Sequence, residues 1–141
     1  MLHRDGRWSH EGHPLTNRRL REAFDRSVRF LPAEGKYVVQ LGLFRGEIEI
    51  EEAGFFVRSV DPPTASISLS DGTTEPLEPA SLRPSPHDGA WLCRVKWNLE
   101  PAGIPARFTQ AAWAQLLEAL EETPEGPRLR LAGRLHPVPG G

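Results

Sequence analysis

The sequence predicts an α+β fold of mostly antiparallel strands with two helices, arranged as two similar strand-helix-strand halves. Residues 46–51 alternate Ile with Glu, as a half-buried strand does. Leu20, Ala23, Phe24, Val28 and Leu31 recur instead at helical spacing, as do Trp113, Leu116, Leu117 and Leu120. The 13 glycines and 14 prolines among 141 residues then punctuate the chain into short elements and many turns.

In chain order, residues 7–10 read as a short strand and Glu11-Gly12 as a turn. Thr16 is the expected cap of the first helix, which Pro32 and Gly35 stop. Residues 36–43 form a strand with Tyr37, Val39, Leu41 and Leu43 on one face. In the next strand, 46–51, Ile48 and Ile50 point inward while Glu47, Glu49 and Glu51 meet water. Ala53-Gly54 turns the chain, and 55–60 returns. Residues 65–69 and 73–77 pair around Asp71-Gly72, a tight-turn dipeptide. Prolines 76, 79, 84 and 86 prevent regular structure throughout 76–88. In 91–97, Trp91, Cys93, Val95 and Trp97 share the inner face, opposite Arg94 and Lys96. Thr109 caps the second helix, which Thr123, Pro124 and Gly126 break. Residues 128–135 close the fold with Leu129, Leu131 and Leu135 inward and Arg130 and Arg134 outward, and 137–141 is expected to fray.

The division this suggests is an amino-terminal α+β half at 1–75, a Pro-rich connection at 76–90 and a carboxy-terminal strand-helix-strand half at 91–141, together one unit. Gly-x-Pro precedes each helix, at Gly12-His13-Pro14 and Gly103-Ile104-Pro105.

The composition excludes several function classes. A net charge of −2 gives no general attraction to nucleic acid or to an anionic membrane. The single cysteine, Cys93, rules out an internal disulfide and a cysteine zinc set, and its inward strand position predicts an inert thiol. The first ten residues lack an apolar leader core and no stretch is long enough for a membrane helix, so the expected location is the cytoplasm. Arginine far outnumbers Lys36 and Lys96, a coding bias that suggests a bacterial source.

No nucleophile elbow, phosphate-binding glycine loop or cofactor motif is present, so no catalytic residue, metal or cofactor is assigned. Histidines and acids are expected to be dispersed in water without converging on one spot. The nearest to a cluster is His10-Glu11-His13, which could serve an acid–base pair or, with His3 and Asp5, a metal; zinc needs a third protein ligand that the spacing does not supply. Trp8, beside it on a polar strand, is the tryptophan expected to be exposed, and such rings favour binding surfaces. Trp8, His10, Glu11 and His13 are therefore the candidate binding residues. The arginines of the first helix interleave with Glu22 and Asp25 in i,i+4 pairs. Glu118, Glu121, Glu122 and Glu125 make the second helix acidic, so the two helices could meet within a monomer or across a homodimer.

The run Asp5-Gly6-Arg7-Trp8, continued to Gly12 and Pro14, resembles the opening of the bacterial family called domain of unknown function 1285. Gly35-Lys36-Tyr37, the stretch 46–53 and Phe55-Phe56-Val57 are similar to its next strands. Asp71-Gly72, Ser81-Leu82-Arg83, Leu99-Glu100, Ala106-Arg107-Phe108 and the Trp113 helix extend the resemblance over most of the chain. The chain is shorter than that pattern and lacks its aromatic-rich ending. The resemblance implies an α+β fold with repeated motifs and a part in signal transduction, and it brings no catalytic residues. Together these readings favour a non-enzymatic module binding a small molecule or a protein, over a small enzyme or metal-binding protein.

Overall fold

The computed structural model describes residues 1–140. It opens on a hairpin of β1 (Ser9–His10) and β2 (His13–Pro14). Glu11 and Gly12 turn it with φ of 51° and 82°, the two left-handed positions a two-residue hairpin loop requires. Helix α1 (Arg18–Ser27) follows. Its cap is Asn17, one residue beyond the expected Thr16: Asn17 Oδ1 accepts from the Leu20 amide at 3.0 Å. The helix also ends sooner than its apolar spacing suggested. Val28 is already extended, and β-branched and aromatic residues carry the chain into β3 (Val28–Leu31). Leu20 consequently lies exposed while Val28 is core.

β3, β4 (Lys36–Leu41) and β5 (Phe44–Ile48) form an antiparallel meander. Leu43 belongs to the Gly42-Leu43 turn and is fully exposed, because pairing of Leu41 with Phe44 ends the alternation expected to continue through it.

The next strands are β6 (Phe55–Asp61), β7 (Ser66–Leu69), β8 (Thr74–Pro76), β9 (Arg83–Pro84), β10 (Trp91–Val95) and β11 (Ile104–Phe108). They make one six-stranded sheet in the order β8-β7-β6-β11-β10-β9. β6 does not return to β5. It pairs antiparallel with β7 and parallel with β11, setting Phe55 beside Ala106 and Val57 beside Phe108. The sheet thus joins strands from both sides of the Pro-rich connection. Lys96, at φ 57°, turns the chain out of β10, so Trp97 is 41% exposed and misses the core face shared by Trp91, Cys93 and Val95.

Helix α2 (Gln110–Leu117) is capped as expected, Thr109 Oγ1 accepting from the Ala112 amide at 3.2 Å. It packs on β6 through fully buried Ala112 and Leu116. Where a bulge shifts the β6–β7 register, the Val60 amide donates to Gln115 Oε1 of this helix at 2.7 Å. Trp113, expected on the buried stripe, is 39% exposed, and Leu120 begins the next strand.

β12 (Leu120–Thr123), β13 (Gly126–Leu131) and β14 (Arg134–Pro137) make a second antiparallel meander. Residues 128–135 are therefore not one strand. Ala132 and Gly133, at φ 50° and 77°, form a two-residue turn that inverts the alternation. Leu135 lands opposite Arg130 on the outer face while Leu129 and Leu131 stay buried. Val138 packs on the core, contrary to a frayed tail; Gly141 lies outside the described residues. The acidic residues beyond Glu118 sit on β12 and its turn, with Glu121 bound to Arg130 at 2.8 Å, so the expected acidic second helix does not form. On α1 the Arg18–Glu22 pair forms at 3.0 Å, whereas Asp25 turns inward. Among the described residues no helix is long and apolar enough to cross a membrane.

Candidate functional site

Two clefts of similar size lie in different parts of the molecule. The first lies under the β1–β2 hairpin, has a volume of about 820 Å³, and is bordered by Trp8, His10 and Glu11. His10 and His13 are cross-strand partners, both exposed, but His13 is not in the lining. His10 Nε2 stands 3.8 Å from Glu11 Oε1 with both side chains in water. Among the described residues no group of three or more His, Cys, Asp or Glu side chains is arranged to hold a metal ion.

Trp8 differs most from its sequence expectation, being only 2% exposed. Its indole N–H donates to Asp25 Oδ1 at 2.8 Å, and its ring meets Phe24 edge-on at 5.3 Å. The polar tip that suggested a surface ring is thus satisfied inside the protein. Asp25 also takes an ion pair from Arg58, yet burial outweighs these partners and holds its carboxyl above the ordinary range. Deep in this cleft lie Trp8 and Val39, with Leu15, Phe24 and Ile48 half-buried; Glu47 and Glu49 join His10 and Glu11 at the exposed rim.

The second cleft, of about 750 Å³, lies where β10, β11 and the start of α2 meet the amino-terminal segment. Sequence reasoning missed it. Arg107 on β11 donates to Glu52 at 2.8 Å and to both oxygens of Asp88 at 3.1 and 2.6 Å, with only 11% of its side chain exposed. Arg4 holds Glu51 through its backbone amide at 2.7 Å and Nη1 at 2.6 Å, and its Nε lies 3.6 Å from Asp88. Glu52 further accepts from Ser85 Oγ at 2.6 Å. Opposite stand Trp91 and Trp113, perpendicular at 6.1 Å, together with Phe56 and Phe108.

Charged groups therefore do converge here, against the expectation that they are dispersed. They are, however, paired with one another: Arg107 with Glu52 and Asp88, and Arg4 with Glu51. The Arg107 guanidinium holds the Asp88 carboxyl down at about 2, so this group stays an anion and neither gives nor takes a proton near neutral pH. Cys93 is equally unreactive, fully buried with its thiol pushed up to about 12 by desolvation. Local sequence signals for this cleft were slight: the Glu51-Glu52 pair before an apolar strand, and an arginine between inward Ala106 and Phe108. Only the parallel β6–β11 contact brings them together.

The fold and its clefts define a small α+β protein in which hairpin, capped helix and three-stranded meander occur twice, joined through a mixed sheet. No family model matches the chain, and no curated protein does. Two solved structures share its fold. A DUF1285 (domain of unknown function 1285) family protein from Silicibacter pomeroyi DSS-3 aligns with a TM-score of 0.61 at 18% identity, over 97% of this chain and 77% of that one. A DUF1285 family protein from Shewanella baltica OS155 aligns with a TM-score of 0.53 at 12% identity, over 83% of this chain and 88% of that one. The chain has the DUF1285 fold.

Proposed function

We propose that this protein is a non-enzymatic binding module of the bacterial cytoplasm, taking a small molecule in the cleft under the β1–β2 hairpin. The observation that carries the reading is the cleft itself. Its volume of about 820 Å³ lies within the roughly 300–1,000 Å³ of small-molecule sites, and its polar groups sit at the rim of an apolar interior. Trp8, Leu15 and Phe24 supply apolar contact, while His10 and Glu11 orient the ligand. His13 enters only as the cross-strand neighbour of His10. Binding without turnover suits signal transduction, where occupancy changes what a partner meets.

A thermal-shift screen of metabolites on the native protein, His10→Ala, Glu11→Ala and His13→Ala tests this. A stabilising compound should lose its effect in the first two variants and keep most of it in the third. Ligand-free stability should change by no more than about 0.5 kcal/mol in each, as for exposed positions generally. If the compound instead disappears with formation of a product, and His10→Ala abolishes that turnover, the module is an enzyme. A screen without hits, or hits indifferent to His10 and Glu11, removes this cleft from consideration.

A further inference from the structure

The amino-terminal residues act as a short middle strand. The Leu2 amide donates to Glu49 O at 2.8 Å and the Glu51 amide to Leu2 O at 2.9 Å, so Leu2 runs parallel to Ile50. On its other side the Ser9 amide donates to Met1 O at 2.9 Å and the His3 amide to Arg7 O at 2.8 Å, setting Leu2 antiparallel to Trp8. Leu2 and Trp8 are both core residues. The hairpin cleft opens where this strand begins: Met1 lines it, together with residues 9–12 of the hairpin and residues 46–49. On the second flank the backbone has a free edge. β5 is the outer strand of its meander and pairs with β4 alone. Leu41 and Phe44 close a two-residue turn as a hydrogen-bonded pair, so by alternation Gly46 and Ile48 also bond β4. Arg45 and Glu47 therefore aim their N–H and C=O groups out of the free edge, in the same set as Glu49 and Glu51, which bond Leu2.

We propose that the hairpin cleft takes a short extended peptide, which pairs with the free edge of β5 as one more strand in line with Leu2. This rests on the hairpin cleft being the binding site and names the class of molecule it takes. Main-chain pairing supplies affinity in such strand addition, and alternate side chains supply specificity. Leu2 sets the pattern, since its side chain enters the core beside Trp8. Inward side chains of the peptide lie beside Gly46 and Ile48, over Leu15 and Phe24. Gly46 has no side chain, which leaves room for a large apolar neighbour. Outward side chains lie beside Glu47 and Glu49. Glu47 is held by Lys36 at 2.8 Å and Glu51 by Arg4, whereas exposed Glu49 lies outside these pairs and favours a basic neighbour. The occupant is therefore alternately apolar and basic. Hairpin and β5 bound the slot on both sides, so a free segment enters it and the already paired strand of a second copy does not.

Isothermal titration of the full chain tests the proposal with acetylated, amidated pentapeptides carrying Lys at the second and fourth positions and Val, Leu or Phe at the others. Saturable binding of at least one is expected. Methylating its backbone nitrogens, or scrambling its order at constant composition, should weaken it at least about tenfold, and Glu in place of Lys should weaken it as well. Glu47→Pro removes an edge-facing N–H without touching the ladder to β4, and should weaken the peptide about tenfold while circular dichroism shows native folding. Glu49→Gln should cost about threefold, the worth of one cross-strand charge pair. The proposal fails if no peptide of the set binds at millimolar concentration, if the methylated or scrambled form binds as well, or if folded Glu47→Pro binds undiminished. Failure here beside a metabolite whose stabilising effect depends on His10 and Glu11 overturns the peptide and leaves the hairpin cleft standing as a site. Failure of both removes the cleft itself.

Discussion

The two hairpin-helix-meander units share an order of elements but spend their apolar surface differently. In the first, β1 and β2 have two residues each and stand as a sheet of their own, and the only buried residue of α1 is Ser27. In the second, β10 and β11 have five residues each inside the six-stranded sheet, and α2 buries Ala112 and Leu116. The second unit anchors its helix in the core with two buried side chains, whereas the helix of the first is half-buried or exposed along almost its whole length. Similar topology thus does not impose similar burial, because strand length decides how much of the helix finds a partner.

Aligning the observed caps Asn17 and Thr109 places Phe24 opposite Leu116 and gives the sharpest way to break this comparison. Leu116→Ala empties a fully buried site and should cost about 3 kcal/mol in denaturant unfolding. Phe24→Ala, at a half-buried site, should cost about half as much despite the larger side chain removed. The opposite ranking would make the first unit the structural core. Removal of either cap, as Asn17→Ala or Thr109→Ala, should cost about 1 kcal/mol, since each satisfies one first-turn amide. A measurable loss at Thr109 alone would show that α1 frays freely.

The smallest effects concern two aspartates with opposite shifts. Asp88, held at about 2 by Arg107, contributes stability that is present above the ordinary carboxyl value of 3.8 and is lost as pH falls toward 2. Asp25, raised by burial behind Trp8, binds its proton more tightly when folded, so its contribution declines as pH rises above the ordinary value. Acid unfolding curves should therefore flatten at their low end in Asp88→Asn and lose the opposing slope in Asp25→Asn. An Asp88→Asn curve superimposable on the native one would mean the Arg107 contact has no thermodynamic weight.

Where physics is local, the sequence was legible. Thr109 caps its helix, Asp71-Gly72 joins β7 to β8, and Cys93 and Val95 face inward as alternation requires. Errors arose where one residue changed the direction of the chain. Lys96 at positive φ moved Trp97 out of the core, and the Ala132-Gly133 turn moved Leu135 to the outer face. Asn17 and Thr16 are both good caps, and one position separates them. Trp8 was misjudged because its partner, Asp25, lies on the next element. Of the candidate residues, Trp8, His10 and Glu11 share a cleft, as their proximity allowed. The Arg4–Asp88–Arg107 network was invisible because its members belong to three separate segments.

The parallel seam between β6 and β11 bears on how the chain is made. During synthesis β6 emerges long before the strand that will cover its flank, and that delayed pairing raises contact order and slows folding. Until then Phe55 and Val57 present an open apolar edge of the kind that recruits other chains. A polypeptide severed within the Pro-rich connection is accordingly expected to leave β6 and β11 each without its parallel partner.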